Sequence, residues 1–289
     1  MAKQTKKAKA AIRAKSIETL FQCPYCQLDM HVEHEASFIC KQKHTFDFAK
    51  QGHLYLLTGQ KRKPSQYNTS LFEARQQIIM ESGLFDRFHA KMRKLLAGTT
   101  GTVVDLGCGE GSHLKSIVNE EVTVAIGLDI AKEGIVQAAK SYEGILWLVG
   151  DLAYSPFKAH SMDVILTILS PSNYKEYKRL LAPGGNVVKV VPQRGYLQEL
   201  RTFFYAGQEK ETYSNEETIS LFKQHFRETT IKTITYSAMI KKSDLPALLK
   251  MTPLTWKAQN ERKIAFLDQD VMDVTIDFAV LIGKEPRIH

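Results

Sequence analysis

No stretch of this 289-residue chain approaches the roughly 18 consecutive apolar residues that a membrane span requires, so no membrane partner is expected. The opening residues MAKQTKKAKAAIRAKS are basic but have no apolar core region. They do not read as a secretory signal, and a cytoplasmic location is expected. Acid is absent from residues 1–15, which carry Lys3, Lys6, Lys7, Lys9, Arg13 and Lys15. Six of the eight net positive charges therefore sit there, and the rest of the chain is nearly balanced. Residues 1–19 are expected to be a disordered tail that either grips phosphates without sequence preference or only solubilises the protein. Cysteine is scarce. Cys23, Cys26 and Cys40 lie within eighteen residues, and Cys108 is far away. In a reducing compartment that grouping points to a metal site rather than a disulfide framework.

Internal repeats are also missing, and 44% hydrophobic with 24% charged residues is ordinary for a protein with one sizeable core. The length fits one large domain with a small appendage. Residues 20–60 are short and turn-rich, with little material for a core. KRKPSQYNT at 61–69 reads as a linker. Beyond it Leu71, Phe72, Ile78, Ile79, Phe85, Phe88, Met92, Leu95 and Leu96 recur at helical spacing, with Gly83 as a break. Residues 61–100 are thus linker and helices. From 101 to 289 strands and helices alternate. VVDL, TVAIGLDI, ILWLVG, MDVILTIL and NVVKVVP read as five strands, and ETTIKTITY and MDVTIDFAVLIG as two more. The expected fold is α/β, a seven-stranded, mostly parallel sheet of Rossmann type with an antiparallel final strand at its edge.

The metal pattern is C-x2-C-x13-C-x3-H, formed by Cys23, Cys26, Cys40 and His44. Thiolates and imidazole suit Zn²⁺, and four of them close a tetrahedron, so the site reads as structural. MHVEHEASFI between the halves supplies a hairpin. A segment of this size needs the metal to fold. His31 and His34 are competing ligands but fall within that hairpin and read as surface residues.

VVDLGCGEG at 103–111 places glycines at Gly107, Gly109 and Gly111 after a strand, with Asp105 two residues before the first. A dinucleotide fingerprint would need glycine at 112, where serine stands. Alternating glycines let a backbone approach a ligand that has no pyrophosphate. Asp105 can organise the loop or meet an ammonium group. Asp129 ends the second strand, placed for ribose hydroxyls. Asp151 ends the third, placed for an adenine amino group. Glu110, Ile130 and Leu152 adjoin these positions and are taken as further contacts. An amino acid joined to adenosine describes S-adenosylmethionine. Cys108 reads as a small filler.

Residues 101–191 resemble the class I S-adenosylmethionine-dependent methyltransferases. With FQCPYC, FICKQKHTFDFAKQGHLYLL, NTSLFEARQQIIMESGLF, VVDLGCGEG, LSPSNYKEYKRLLAPGG and KMTPLTWK, the chain past its basic tail resembles the RlmA family of 23S rRNA (guanine-N1) methyltransferases. The resemblance implies a zinc-ribbon-like module on a methyltransferase domain, and a 23S rRNA hairpin as partner. One branch of that family modifies nucleotide 745 and the other nucleotide 748, beside the macrolide site. Gln66-Tyr67 stands where the first branch carries Gly-Asp, so the second branch, which includes tylosin-resistance enzymes, is the closer likeness.

Ser170, Pro171 and Asn173, after the fourth strand, are the expected docking place for a flipped base, with Asn173 and the Ser170 carbonyl reading its edge. The alternative there is a plain strand-to-helix turn capped by Ser172. No general base stands out. Trp256 reads either as a stacking surface or as a core residue. Lys41, Lys43, Lys61, Arg62 and Lys63 read as phosphate contacts or as solvated charges. Two rival functions follow from the same residues. One is a methyltransferase for another RNA, a protein or a small molecule, its zinc module serving a homodimer. The other is an inactive nucleic-acid binder.

Overall fold

The computed structural model describes residues 4–59, 67–118, 124–208 and 211–287. Lys61, Arg62, Lys63 and Gln66 lie outside the described residues.

The basic N-terminal segment folds, contrary to the expected disorder. Helix α1 spans Lys6–Ser16 and starts at Thr5, whose side chain accepts from the Ala8 amide at 3.2 Å. Ala10, Ala11 and Ala14 form a buried stripe of good helix formers. Two of the lysines that suggest a free tail find partners. Lys6 Nζ donates to the Ala139 and Lys140 carbonyls, and Lys9 pairs with Glu143 at 2.7 Å.

Strands β1 (Met30–Glu33), β2 (Ser37–Cys40) and β3 (Thr45–Asp47) make a small antiparallel sheet in that order. Strand β4 (His53–Tyr55) leaves this module and pairs parallel with β7 (Leu146–Val149) of the main sheet. Among the described residues the main sheet therefore has eight strands, not seven, in the order β10-β11-β9-β8-β5-β6-β7-β4. Its parallel centre is β5 (Thr102–Leu106), β6 (Val124–Asp129), β7, β8 (Met162–Ile168) and β9 (Leu181–Pro192). The last strand, β11 (Val271–Pro286), is antiparallel to both β9 and β10 (Phe226–Lys241). It lies inside the sheet and β10 is the edge, which corrects the expected order. β11 buries eight of its residues, more than an edge strand would, whereas β10 alternates with mostly exposed positions.

Helices α2 (Thr69–Met80), α3 (Asp86–Leu95), α4 (Ser112–Ile117), α5 (Lys132–Ser141), α7 (Gln198–Tyr205), α9 (Leu245–Met251) and α10 (Asn260–Leu267) cover one face. On the other lie α6 (Tyr174–Leu180) and α8 (Glu216–His225). The chain between β7 and β8 contains no helix. The sheet surface left open there, formed by Val104, Leu106, Ile126, Leu128, Leu146 and Leu148, is closed by α1 and the N-terminal module. Phe21 is the keystone. Its ring lies 5.1 Å from Phe38 of the module and 5.2 Å from Phe157 of the β7–β8 loop. Gln22 N donates to Pro156 O and Lys158 N to Leu20 O, both at 2.9 Å. Module and main domain thus share one apolar core, so the appendage is part of the sheet's packing.

Phe21→Ala is expected to destabilise the whole chain by about 3–5 kcal/mol. Denaturant unfolding followed by far-ultraviolet circular dichroism checks this. A single transition at lower denaturant is the expected result; an early transition confined to residues 20–60, with the rest unchanged, contradicts it.

Candidate functional site

Two centres emerge. In the N-terminal module Cys23, Cys26, Cys40 and His44 bring their ligand atoms within 4.8 Å of one another. Each cysteine pair-half turns tightly: Gln27 N donates to Cys23 O and Lys43 N to Cys40 O, both at 2.8 Å. Cys26 and Cys40 sulfurs are 3.6 Å apart, and His44 Nδ1 is 3.5 Å from Cys23 Sγ and 3.4 Å from Cys40 Sγ. A tetrahedral zinc with ordinary bond lengths gives edges of about 3.6–3.8 Å, so the donor set fits the metal. His31 and His34 are exposed and outside the cluster, as expected.

The second centre is built at the C-terminal ends of β5, β6 and β8. The Gly107 and Cys108 amides donate to Leu128 O at 2.8 and 3.2 Å, strapping the glycine turn to β6. Asp129 holds the turn from above, its Oδ2 accepting from Gly109 N and its Oδ1 from Ala131 N, both at 2.7 Å. Gly107 has φ +88°, and a Cβ there would come 2.7 Å from Ser170 Cβ, so glycine is what lets the turn and the β8 loop touch. Gly111 serves differently from its expected ligand role. It caps α4 in the left-handed conformation, and a Cβ would overlap the Trp147 ring. Burial pushes the Cys108 thiol well up, in keeping with a filler.

These elements border a cleft of about 1630 Å³. Gly107, Gly109, Asp129, Ile130, Leu152, Ser170 and Pro171 line it. Asp105, Glu110, Gly111, Asp151 and Asn173 are not among the lining residues. Asp151 turns Oδ1 onto the Ala153 amide at 2.8 Å, leaving Leu152 as the wall. Asn173 is the N-cap of α6, Oδ1 accepting from Glu176 N at 3.0 Å. The side chain expected to read a base edge is therefore occupied in helix capping, and the cap is Asn173, not Ser172. The Ser170 carbonyl is also engaged, accepting from Lys189 Nζ at 2.9 Å.

Asp105 and Glu110 lie buried beneath the cleft. Glu110 Oε2 accepts from Arg75 Nε of α2 at 2.6 Å. Asp105 Oδ1 and Glu110 Oε1 have no hydrogen-bond partner among the described residues. Burial first, then Asp129 and Glu110, push the Asp105 carboxyl up to about 8. Asp129 is raised as well, chiefly by burial. Three carboxylates thus face one guanidinium. Such a floor lacks a positive group, and a zwitterionic ligand with an ammonium and a sulfonium supplies it. The donor set fits S-adenosylmethionine.

Several cleft residues went unread in the sequence. Arg75 sits on the apolar side of α2 among Leu71, Phe72, Ile78 and Ile79, and Lys189 interrupts the valines of NVVKVVP. A lone cation in each apolar pattern was the available signal. Trp256 lines the cleft, with Tyr67 edge-on at 6.0 Å, so it is a wall residue and not a core one.

Comparison with known proteins agrees with this geometry. The family profile described as "RlmA, N-terminal" matches residues 21–65, and a "Methyltransferase domain" profile matches residues 103–185. A Bacillus subtilis protein, provisionally named a 23S rRNA (guanine-N(1)-)-methyltransferase, is 36% identical over 277 residues, covering 92% of this chain and 98% of its own. The 23S rRNA (guanine(748)-N(1))-methyltransferase of Streptomyces fradiae is 30% identical over 195 residues, covering 64% and 68%. A zinc ribbon closing the face of a class I methyltransferase sheet, together with full-length similarity to the first of these relatives, makes the chain a member of the RlmA family of S-adenosylmethionine-dependent 23S rRNA (guanine-N1)-methyltransferases.

Proposed function

We propose that this enzyme methylates N1 of the guanine at nucleotide 748 in a hairpin loop of 23S rRNA, and that the added methyl group reduces macrolide binding nearby. The observation that carries the reading is the cleft floor, with three carboxylates against one guanidinium, opening beside the Ser170-Pro171 loop. When bound, S-adenosylmethionine supplies an activated methyl group as a sulfonium. Asp105 holds its ammonium group and Arg75 its carboxylate, with Glu110 positioning Arg75. Asp129 accepts the ribose hydroxyls, Ile130 and Leu152 flank the adenine, and Asp151 accepts its amino group through the carboxylate oxygen not bonded to Ala153.

The acceptor side is apolar and aromatic. Ser170 and Pro171 border the place where a flipped base docks, and Trp256 with Tyr67 offers a stacking wall. A base in a hairpin loop can be extruded at less cost than one in A-form RNA, whose major groove is too narrow to read. The zinc ribbon presents exposed Lys41, Lys43 and Tyr25 for the RNA backbone and an unpaired base. Position 748 is favoured over 745 by Gln66-Tyr67 and by the activity for which the Streptomyces relative is named.

Incubation with S-adenosylmethionine and a protein-free 23S rRNA hairpin, followed by primer extension, tests this. A stop caused by N1-methylguanine at nucleotide 748 is the expected product; a stop at 745, or none, overturns the assignment. Asp129→Ala is expected to weaken donor binding roughly 10- to 100-fold through loss of charged hydrogen bonds, with the circular dichroism spectrum unchanged. Calorimetry giving wild-type affinity would sink the ribose assignment.

The raised Asp105 carboxyl gives a pH signature. In the free enzyme it is mostly protonated below about 8, and a cationic donor favours the ionised form. Binding at pH 7 should release about one proton, and affinity should climb from pH 6 and level off above about 8. Calorimetry in buffers of different ionisation enthalpy measures the proton count. The slope should vanish in Asp105→Asn.

A further inference from the structure

The reading above leaves the N1 proton of guanine without an acceptor. Lys189 is placed to take it. β9 runs Val187, Val188, Lys189, Val190, Val191, and the lysine is as buried as the valines, with 3% of its surface exposed. It sits opposite Thr167 of β8 and Leu281 of β11, neither of which carries charge. Lys189 is among the residues that line the cleft, and its Nζ donates to the Ser170 carbonyl at 2.9 Å. No carboxylate pairs with it among the described residues. An ammonium has three donors, and a buried one with a single neutral acceptor is costly.

The Ser170 loop that Lys189 grips is the loop that touches Gly107. Nζ therefore stands one carbonyl away from the contact between the turn that holds the methyl donor and the loop that borders the base. An arginine or a paired lysine could grip the loop but could not serve as a base at neutral pH. An unpaired, buried lysine can.

We propose that Lys189 in its neutral form is the catalytic base for methyl transfer to guanine N1; this rests on the function proposed above. The N1–H bond breaks and its electron pair stays on N1. The Nζ lone pair forms the new N–H bond, giving an ammonium that the Ser170 carbonyl stabilises, and that proton passes to water after the product leaves. N1 then holds the pair that bonds to the methyl carbon, as that carbon's bond to the donor's sulfur breaks with its electrons left on the sulfur and a neutral thioether departs. Burial alone lowers the Lys189 amine, to about 8, so a useful fraction is neutral near neutral pH and its basicity approaches that of the weakly acidic N1–H. The other ionisable groups bordering the cleft are Arg75, Asp129, Glu133 and His113 on the donor side, Tyr196, Arg201 and Tyr213 on the α7 side, and Tyr67 beside Trp256. None of them adds to the lowering of the lysine. His113 is tied to His89 at 2.9 Å and held neutral by burial, and Asp129 carries the glycine turn, so neither competes for the role.

The test compares wild type, K189M and K189R on a protein-free 23S rRNA hairpin in single turnover across pH 6–10. Wild-type rates should rise about tenfold per pH unit and level off near 8. Both variants should be slower by roughly 100- to 10,000-fold and lose that inflection. Donor affinity measured by calorimetry should be unchanged. A guanine analogue already ionised at N1 near neutral pH should restore most of the K189M rate, which a merely structural lysine would not allow. In the donor-free protein, ¹³C-labelled lysine spectra should contain one amine titrating near 8 that is absent from K189M. If K189R keeps the wild-type rate and pH profile, or if folded, donor-binding K189M is not rescued by the ionised analogue, the proposal is overturned. A wild type that leaves every guanine N1 unmodified removes the functional reading, and this inference with it. An active wild type with an equally active K189M removes this inference alone.

Discussion

The chemistry depends on the register of β5 between β6 and β8. Asp105 stands opposite Gly127 on one side and Leu166 on the other, and Leu106 opposite Leu128. That register brings three strand ends level, so the glycine turn leaves β5 just where the Leu128 carbonyl can receive its amides and the Ser170 loop can press on Gly107. A slip of one residue would turn Asp105 to the opposite face and dissolve the carboxylate cluster, because side chains alternate across a strand. The unbalanced negative charge is then a consequence of geometry. Parallel strands deliver their acids to one rim, and a single arginine from α2 offsets part of the charge.

The zinc ribbon serves this sheet first. With no helix between β7 and β8, half of one face would be bare, and α1, Phe21 and Phe38 supply the missing cover. Zinc fixes the short strands that carry Phe38, while β4 stitches the module's end into the sheet edge. Under the proposed function, an RNA bound by the ribbon would be held at a set distance from the cleft. A hairpin gripped by a loosely tethered module would sample many orientations and lose the entropic advantage of fixed geometry.

The acceptor side follows a different logic. The floor is charged and asks for a cation, whereas the opposite wall offers aromatic surface from Trp256 and Tyr67 and one buried amine from β9. Charge is concentrated where the donor's own charges must be matched. Apolar surface lies where the proposed function would stack a neutral base, and the lysine stands at the seam between the two.

The sequence by itself determined what local spacing can determine. The C-x2-C-x13-C-x3-H ligands meet because two tight turns and one hairpin suffice, and the glycine turn is specified within nine residues. The succession of strands from β5 to β9, and the acids at strand ends, are legible from apolar runs bounded by turns. What only the tertiary structure decided involves partners far apart in the chain. The basic segment reads as a free tail until Lys6 meets the end of α5 and the alanine stripe finds the sheet, since no short helix is stable without packing. Arg75 and Glu110 are 35 residues apart, and Lys189 and Ser170 are 19. Asn173 reads as a ligand group in the sequence because capping and recognition ask for the same side-chain chemistry, and only the helix that follows it decides between them. The position of β11 inside the sheet was equally hidden: a sixteen-residue apolar strand announces that it is buried, not which neighbours bury it.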